Sequence, residues 1–218
     1  MIIEPTGGLC NRLRVIFSYL RICNLNNTKL IVIWINTIEC TGFFLEYFEP
    51  VENITFENKN NNFKIDYKGY NPHKDYPPCY KKLVLLPYIE NILLTKKKIL
   101  NNYISVHIRR TDHIELAKQN SSYTSDQQFI DFIDNQIKNN ENINLYIATD
   151  NKETYDLFKN KYNGLIKFEY HNLVEGIRQT TLFDSIIDLF MCVNSDYFMG
   201  SGYSSFSQLI NNIRNNMY

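Results

Sequence analysis

The segment YISVHIRRTD, Tyr103–Asp112, joins a continuous apolar run to a cluster of polar residues. A short run of this composition predicts a strand that is buried on both faces, as in a parallel sheet. The polar residues His107, Arg109, Arg110 and Asp112 lie at the end of that strand, where burial without partners is costly. Because ligands bind at the carboxyl ends of strands in open parallel sheets, this segment predicts a binding edge.

The sequence after this segment alternates between strand patterns and amphipathic helix patterns. Strands are predicted at residues 144–150, 165–170 and 196–200, and helices at residues 125–139, 152–162, 181–194 and 204–214. Strict alternation at this spacing implies right-handed crossovers and a parallel, doubly wound sheet. The C-terminal half is therefore predicted to be an α/β lobe.

The N-terminal part begins with a second α/β pattern. A short strand at residues 1–5 is followed by the turn TGGLCN, an amphipathic helix and the apolar strand LIVIWI at residues 30–35. Residues 40–80 carry weaker patterns, and the basic segment LLTKKKILNN follows at residues 93–102. We place the boundary there, which predicts two small α/β lobes, residues 1–95 and 96–218, with a cleft between them.

Composition excludes several classes of protein. The chain has 23 basic and 23 acidic residues, so no net charge favours nucleic acid or an anionic membrane. No apolar run reaches the roughly 18–20 residues of a membrane span, and the N-terminus does not resemble a signal peptide. These features predict a cytoplasmic protein without a membrane span.

A metal site is not predicted. The five cysteines are scattered and form no C-x-x-C pair, and the four histidines are dispersed. The sequence has neither an Asp-x-Asp pair, which could hold a divalent ion on a sugar nucleotide, nor an H-E-x-x-H motif.

The adjacent Arg109 and Arg110 have two interpretations. Their forked guanidinium groups suit phosphate oxygens, and their position at the end of a buried strand favours that role. The alternative is a solvated rim in which they pair with nearby carboxylates, Asp112 among them. Phosphate binding by arginines and helix ends, without a metal, is the interpretation that we carry forward.

Two strand-to-helix turns are candidates to assist the arginines. The turn TGGLCN places Gly7, Gly8 and Asn11 at the start of a helix, where backbone N–H groups and the helix dipole favour an anion. It matches neither the P-loop nor the G-x-G-x-x-G pattern, so it is a weak signal alone. In the second turn, GSGYSSFS, the hydroxyls of Ser204 and Ser205 are placed to cap the helix or to bind phosphate.

Four segments in this order resemble a superfamily of fucosyltransferases: GGLCNRLR, VHIRRTD, LYIATD and DLFMCVNSDYFMGSGYSSFS. The superfamily includes nodulation-type and core α-1,6 enzymes and, more distantly, α-1,2 and protein O-fucosyltransferases. The H-x-R-R-x-D motif is the most specific of the four matches. The resemblance touches both halves of the chain, although residues 51–100 carry little of it.

The resemblance implies two facing Rossmann-like lobes of the GT-B type, with an acceptor-side N-terminal lobe and a nucleotide-sugar-binding C-terminal lobe. It implies inverting transfer of fucose from GDP-fucose, as donor substrate, to a glycan or other hydroxyl acceptor, without metal or cofactor. It implies that His107 and Arg109 contact the donor and that an arginine of the pair holds the pyrophosphate. It further implies that Asp188 reads the guanine edge and that Ser204 and Ser205 lie near the phosphates.

The sequence departs from the core α-1,6 enzymes next to the motif. Those enzymes carry a lysine directly after the motif aspartate and a glutamate five residues after it, where this chain has His113 and Ala117. The general base is therefore open between Asp112, His113 and Glu115. We place Arg109, Arg110, Asp112 and Glu115 at the predicted catalytic centre.

Two alternatives remain at this stage. One is a transferase of the same fold that uses another nucleotide sugar. The other is a GDP-sugar-binding protein that has lost its catalytic base.

Overall fold

A computed structural model describes residues 1–112, 114–171 and 180–216 of the chain. The chain divides into two compact units, Glu90–Arg214 and Met1–Ile89 with the end of the chain from Asn215. The lobe boundary that we predicted between residues 95 and 96 falls within a helix, Pro87–Leu100, and stays a prediction.

The first unit contains a four-stranded parallel sheet with the strand order β3-β2-β1-β4. Its elements are β1 Ile2–Pro5, α1 Leu9–Leu25, β2 Leu30–Ile33, β3 Ile54–Glu57 and β4 Tyr67–Gly69. The apolar stripe of α1, which includes Leu13, Ile16 and Phe17, is fully buried. The weakly patterned middle of the chain forms two short strands and a single 3₁₀ turn, Phe44–Glu46.

The second unit contains a three-stranded parallel sheet with the order β6-β5-β7. Its strands are β5 Tyr103–Ile108, β6 Asn144–Thr149 and β7 Tyr197–Gly200. Its helices are α2 Pro87–Leu100, α3 Ile114–Gln119, α4 Asp126–Asn139, α5 Lys152–Lys161, α6 Leu182–Val193 and α7 Ser205–Asn216. The predicted α/β class with parallel sheets is confirmed.

The predicted strand at residues 165–170 is wrong. Its backbone meets the sheet through one hydrogen bond, from Leu145 N to Leu165 O at 3.0 Å. Further along, the hydroxyl of Tyr155 donates to the carbonyl of Phe168 at 2.5 Å, so a side chain occupies an acceptor that a neighbouring strand would use. The segment therefore contributes apolar side chains to the core without joining the sheet.

The two faces of the second sheet differ in chemistry. One face contributes Ile104, Val106 and Ile108 to an apolar core that also includes residues of α4 and α5. The other face carries polar side chains, and each bonds to a residue near or on a helix. Ser105 bonds to Ser195, His107 to Ser207 and Tyr146 to Asp188. This second face leads to the predicted site residues.

Candidate functional site

The first part of the candidate site is Arg109, directly after the carboxyl end of β5. Its Nη1 lies 2.7 Å from Asp150 Oδ2, and its Nη2 bonds to Asp112. Its backbone N–H donates to Ser201 Oγ at 2.8 Å, which fixes the chain where it leaves the strand. The guanidinium is thus held at the sheet edge between one buried and one exposed carboxylate.

Asp150 is a component that our sequence reasoning missed. It directly follows β6 and is 5% exposed. Besides Arg109, its carboxylate accepts hydrogen bonds from the Arg110 backbone N–H at 2.8 Å and from Thr111 Oγ1 at 2.6 Å. The sequence did contain a signal for Asp150. It is the final residue of LYIATD, and the predicted topology places the end of that strand at the same sheet edge as the arginines.

Arg110 is held by a different set of contacts. Its Nη2 lies 2.5 Å from Asp126 Oδ1, in the first turn of α4, and its Nη1 donates to the carbonyl of Arg109 at 3.2 Å. The guanidinium carbon lies 5.4 Å from the ring centre of Tyr123 and 5.8 Å from that of Phe129. Both arginines therefore pair with carboxylates, as the rim interpretation expected, but Arg110 is buried and Arg109 is half-buried rather than solvated.

The turn between β7 and α7 packs against the loop before α4. The backbone N–H of Gly202 donates to Thr124 Oγ1 at 2.9 Å, and a Cβ at Gly202 would overlap the carbonyl oxygen of Ser122. Only glycine allows this approach. Ser204 is buried, and its Oγ lies 3.4 Å from Ser207 N as a weak cap, while Ser205 is the half-buried first residue of α7.

His107 lies inside the sheet rather than at the open edge. Its Nδ1 lies 2.8 Å from Ser207 Oγ, and its ring stacks on Phe206 with ring centres 4.5 Å apart. Both partners belong to the first turn of α7. His107 thereby positions the N-terminus of this 12-residue helix, whose dipole favours an anion, beside the end of β5.

A pocket of about 490 Å³ lies beside the edge strand β6. Asp188, the predicted guanine reader, lines this pocket, and its Oδ1 accepts a hydrogen bond from the Tyr146 hydroxyl at 2.8 Å. Burial raises the pKa of Asp188 to about 6, against the opposing effect of His171, whose Nε2 lies 3.8 Å from Asp188 Oδ2. Four further aromatic side chains line the pocket beside aliphatic and charged ones: Tyr155, Phe168, Tyr170 and Phe183.

The pocket and the arginine cluster are connected through the end of β6. The hydroxyl of Tyr170, in the pocket wall, donates to the carbonyl of Thr149 at 3.3 Å. The next residue, Asp150, binds Arg109. A pocket with aromatic side chains and a buried carboxylate is thus linked through the end of β6 to Arg109, which follows the strand whose His107 contacts the first turn of α7. Together these groups suit a nucleoside diphosphate.

The candidate bases are placed differently. Asp112, with a side chain that is 44% exposed, contacts Arg109. Glu115 lies on α3, is 78% exposed and pairs with Lys118 at 3.1 Å. His113 lies outside the described residues.

The glycine turn belongs to the first unit. Gly7 has a positive φ of 77°, and a Cβ there would lie 2.9 Å from Asn11 Nδ2. The buried Arg12 donates to the carbonyl of Gly7 at 2.8 Å and holds the turn at the start of α1, where Gly8 is the N-cap. Asn11 Oδ1 is buried and has no hydrogen-bond partner among the described residues, so it is suited to a ligand's donor group.

Across the described ranges, no three His, Cys, Asp or Glu side chains form a group that could hold a metal ion. Of the helices in those ranges, none combines the length and the apolar character that crossing a membrane requires.

Solved structures of two fucosyltransferases share this fold over nearly the whole chain. A NodZ α-1,6-fucosyltransferase co-crystallized with GDP has a TM-score of 0.60 and 12% identity, with 96% of this chain and 91% of that chain covered. POFUT1 in complex with GDP has a TM-score of 0.69 and 11% identity, with 99% of this chain and 95% of that chain covered. POFUT1 in complex with GDP-fucose has a TM-score of 0.66 and 11% identity, with 100% and 95% covered.

At these identities the similarity establishes a common fold. No protein-family model and no curated protein sequence matches the chain.

Proposed function

We propose that this protein is an inverting, metal-independent glycosyltransferase that moves fucose from GDP-fucose to a hydroxyl group of a glycan or similar acceptor. The observation that carries the proposal is the edge of the second sheet, where the half-buried Arg109, the buried Arg110 and the N-terminus of α7 follow β5, and where Asp150 links Arg109 to the end of β6, the strand that lines the pocket. The shared fold with enzymes crystallized with GDP or GDP-fucose supports this choice of donor. The cytoplasmic location stays a prediction.

Arg109 is the proposed contact to the pyrophosphate. Its bond to the exposed Asp112 is exchangeable for a phosphate oxygen, while the buried Asp150 keeps the guanidinium aimed at the sheet edge. Negative charge grows on the diphosphate as the sugar gains oxocarbenium character in the transition state. Fixed donors at that position therefore stabilise the transition state more than the ground state.

The remaining site residues have narrower proposed roles. Ser204, Ser205 and the N-terminal turn of α7 are proposed to bind phosphate oxygens, with His107 positioning that turn. Gly7, Gly8 and Asn11 of the first unit are also proposed donor contacts, on the strength of the unsatisfied Asn11 oxygen.

A general base must remove the proton of the acceptor hydroxyl. Inverting transfer requires this base on the face of the sugar opposite the leaving group, whereas Asp112 contacts the arginine that is proposed to hold that group, so the base stays open between Asp112 and Glu115 among the described candidates. Glu115 instead pairs with Lys118 at the surface.

The test is GDP binding by Arg109→Ala and Arg110→Ala, measured calorimetrically. A charge-assisted hydrogen bond contributes about 1.5–3 kcal/mol, and about 1.4 kcal/mol corresponds to a factor of ten in affinity. We expect at least a tenfold loss for the more sensitive variant. Arg21→Ala, at an exposed arginine of α1, is the control and should bind GDP like the parent. Parental affinity in both folded site variants would assign the arginines to structural ion pairs.

The pairing of both arginines with carboxylates also favours a second candidate, a GDP-sugar-binding protein without turnover. Release of GDP from a panel of nucleotide sugars separates the candidates. A transferase releases GDP from GDP-fucose in the presence of acceptor or slowly by hydrolysis. The binding protein releases none.

A further inference from the structure

The pocket beside β6 contains a polar pair that the proposed function does not yet explain. Asp188 and His171 face each other with Oδ2 and Nε2 3.8 Å apart, which is too far for a hydrogen bond. The other carboxylate oxygen, Oδ1, is held by the Tyr146 hydroxyl at 2.8 Å. Tyr146 therefore fixes the orientation of the carboxylate and leaves Oδ2 beside the imidazole.

The imidazole nitrogen is unsatisfied. His171 Nε2 is inaccessible to solvent and has no hydrogen-bond partner in the part of the chain that the structure describes. A buried polar atom without a partner costs about 1–3 kcal/mol, so such atoms point to a bound group. Both residues line the pocket, which presents an acceptor and a nitrogen side by side.

We propose that His171 is a specificity-determining residue, which donates from Nε2–H to the O6 oxygen of guanine while Asp188 Oδ2 accepts from the adjacent N1–H. The inference rests on the proposed function in one respect, that the donor carries guanine. The spacing of 3.8 Å allows the two protein atoms to meet neighbouring groups on one edge of a planar base. The aromatic side chains of the same wall supply surfaces for stacking the base.

The pair discriminates among bases by the order of donor and acceptor. Adenine presents an amino donor where guanine has O6 and a bare acceptor nitrogen where guanine has N1–H. In this pose the amino donor of adenine therefore meets the donor of His171, and its acceptor nitrogen meets the acceptor oxygen of Asp188. A site built around a buried polar pair strongly rejects ligands that leave the pair unmatched. Uracil, with O4 beside N3–H, satisfies the pair but lacks the amino group and the second ring of guanine.

The experiment measures calorimetric affinities for GDP, ADP and UDP in the parent, His171→Phe and His171→Gln. Phenylalanine keeps a ring of similar size without a donor, whereas glutamine keeps an N–H donor. We expect the parent to prefer GDP to ADP and His171→Phe to lose about fivefold of that preference, since one neutral hydrogen bond is worth about 1 kcal/mol and about 1.4 kcal/mol is a factor of ten. His171→Gln should retain most of it, and thermal unfolding verifies that both variants are folded.

A second ligand isolates the contact to position 6. The diphosphate of 6-thioguanosine keeps N1–H and the 2-amino group but has a weaker acceptor at position 6. The parent should bind it less tightly than GDP, and His171→Phe should bind the two with nearly equal affinity. Equal losses for GDP, its thio analogue and ADP in His171→Phe would overturn the role of His171.

The outcomes separate this inference from the proposed function. If the parent prefers GDP and His171→Phe leaves the ratio of its GDP and ADP affinities unchanged, the inference is refuted and the proposed function stands. If the parent prefers UDP, and His171→Phe reduces its preference for UDP over ADP, the proposed GDP-fucose donor is refuted. The hydrogen bond from His171 to the base is then supported. A parent that binds ADP as tightly as GDP refutes both.

Discussion

Replacing Asp188 with asparagine should make the ligand-free protein more stable at neutral pH. The carboxyl group is buried on α6, and burial is the largest cause that raises its pKa to about 6. His171, Tyr146 and Lys96 favour the charged form, and Asp184 opposes it. Because burial outweighs these contacts, the folded protein stabilises the neutral acid relative to the charged carboxylate. At neutral pH, Asp188 is therefore in its less favourable, charged form.

The sign follows from proton binding in the two states. Below about pH 4 the acid is protonated in the folded and the unfolded chain, and its full contribution to stability is present. As the pH rises through about 6, the folded chain loses a proton that it binds more tightly than the unfolded chain does, and this stability is lost. A pKa about two units above that of an ordinary aspartate corresponds to about 3 kcal/mol, at about 1.4 kcal/mol per unit.

The assay is urea unfolding of the parent and Asp188→Asn between pH 4 and pH 7.5. The difference in unfolding free energy should grow by about 3 kcal/mol in favour of the variant over that range. Tyr146→Phe removes a hydrogen bond that lowers the pKa of Asp188. The pH range over which the parent loses unfolding free energy should therefore shift to higher pH in that variant. A difference between parent and Asp188→Asn that is constant from pH 4 to pH 7.5 would refute the reasoning.

Three further predictions follow from other parts of the structure. Gly202→Ala should lower the unfolding free energy by about 1–3 kcal/mol through the overlap with a backbone carbonyl. Gly164→Ala, where a Cβ meets nothing within 4 Å, should change it by less than about 0.5 kcal/mol. Asp150→Asn breaks a buried ion pair and should cost about 3 kcal/mol in urea unfolding, whereas Asp156→Asn, in an exposed pair, should cost under about 1 kcal/mol. Turnover of GDP-fucose should persist in excess EDTA, and loss of activity that Mg²⁺ or Mn²⁺ restores would contradict the metal-independent mechanism.

The sequence was sufficient for the features that depend on local pattern. The apolar run before Arg109 predicted a buried strand with a polar end, and β5 is buried along its whole length. The helix predicted at residues 125–139 forms as α4, and Ser125 caps it by accepting a hydrogen bond from Gln128 N. The strand that we predicted at residues 165–170 failed, because an apolar pattern cannot show that a Tyr155 side chain takes a backbone acceptor of the segment.

Features that join distant parts of the chain were not predictable in the same way. Asp150 contacts Arg110 from 40 residues away, and Tyr146 contacts Asp188 from 42 residues away. No spacing rule connects such pairs, since their proximity depends on the order of strands in the sheet. The resemblance named Asp188, whereas Tyr146, which orients its carboxylate, and His171, which faces it, emerged only from the fold.

The central position of β5 in the second sheet has a consequence for how the chain folds during synthesis. Tyr103 N–H bonds to Asp196, 93 residues later, and Ile104 pairs with Tyr197 of β7. The ribosome must therefore release the chain to about residue 200 before this strand can acquire both neighbours. Parallel pairings between distant segments form slowly because loop closure precedes the energetic gain. A nascent chain that has emerged only to about residue 190 leaves one edge of β5 unpaired, although this strand is buried along its whole length in the folded protein, and an unpaired strand edge of this kind makes the intermediate prone to aggregation.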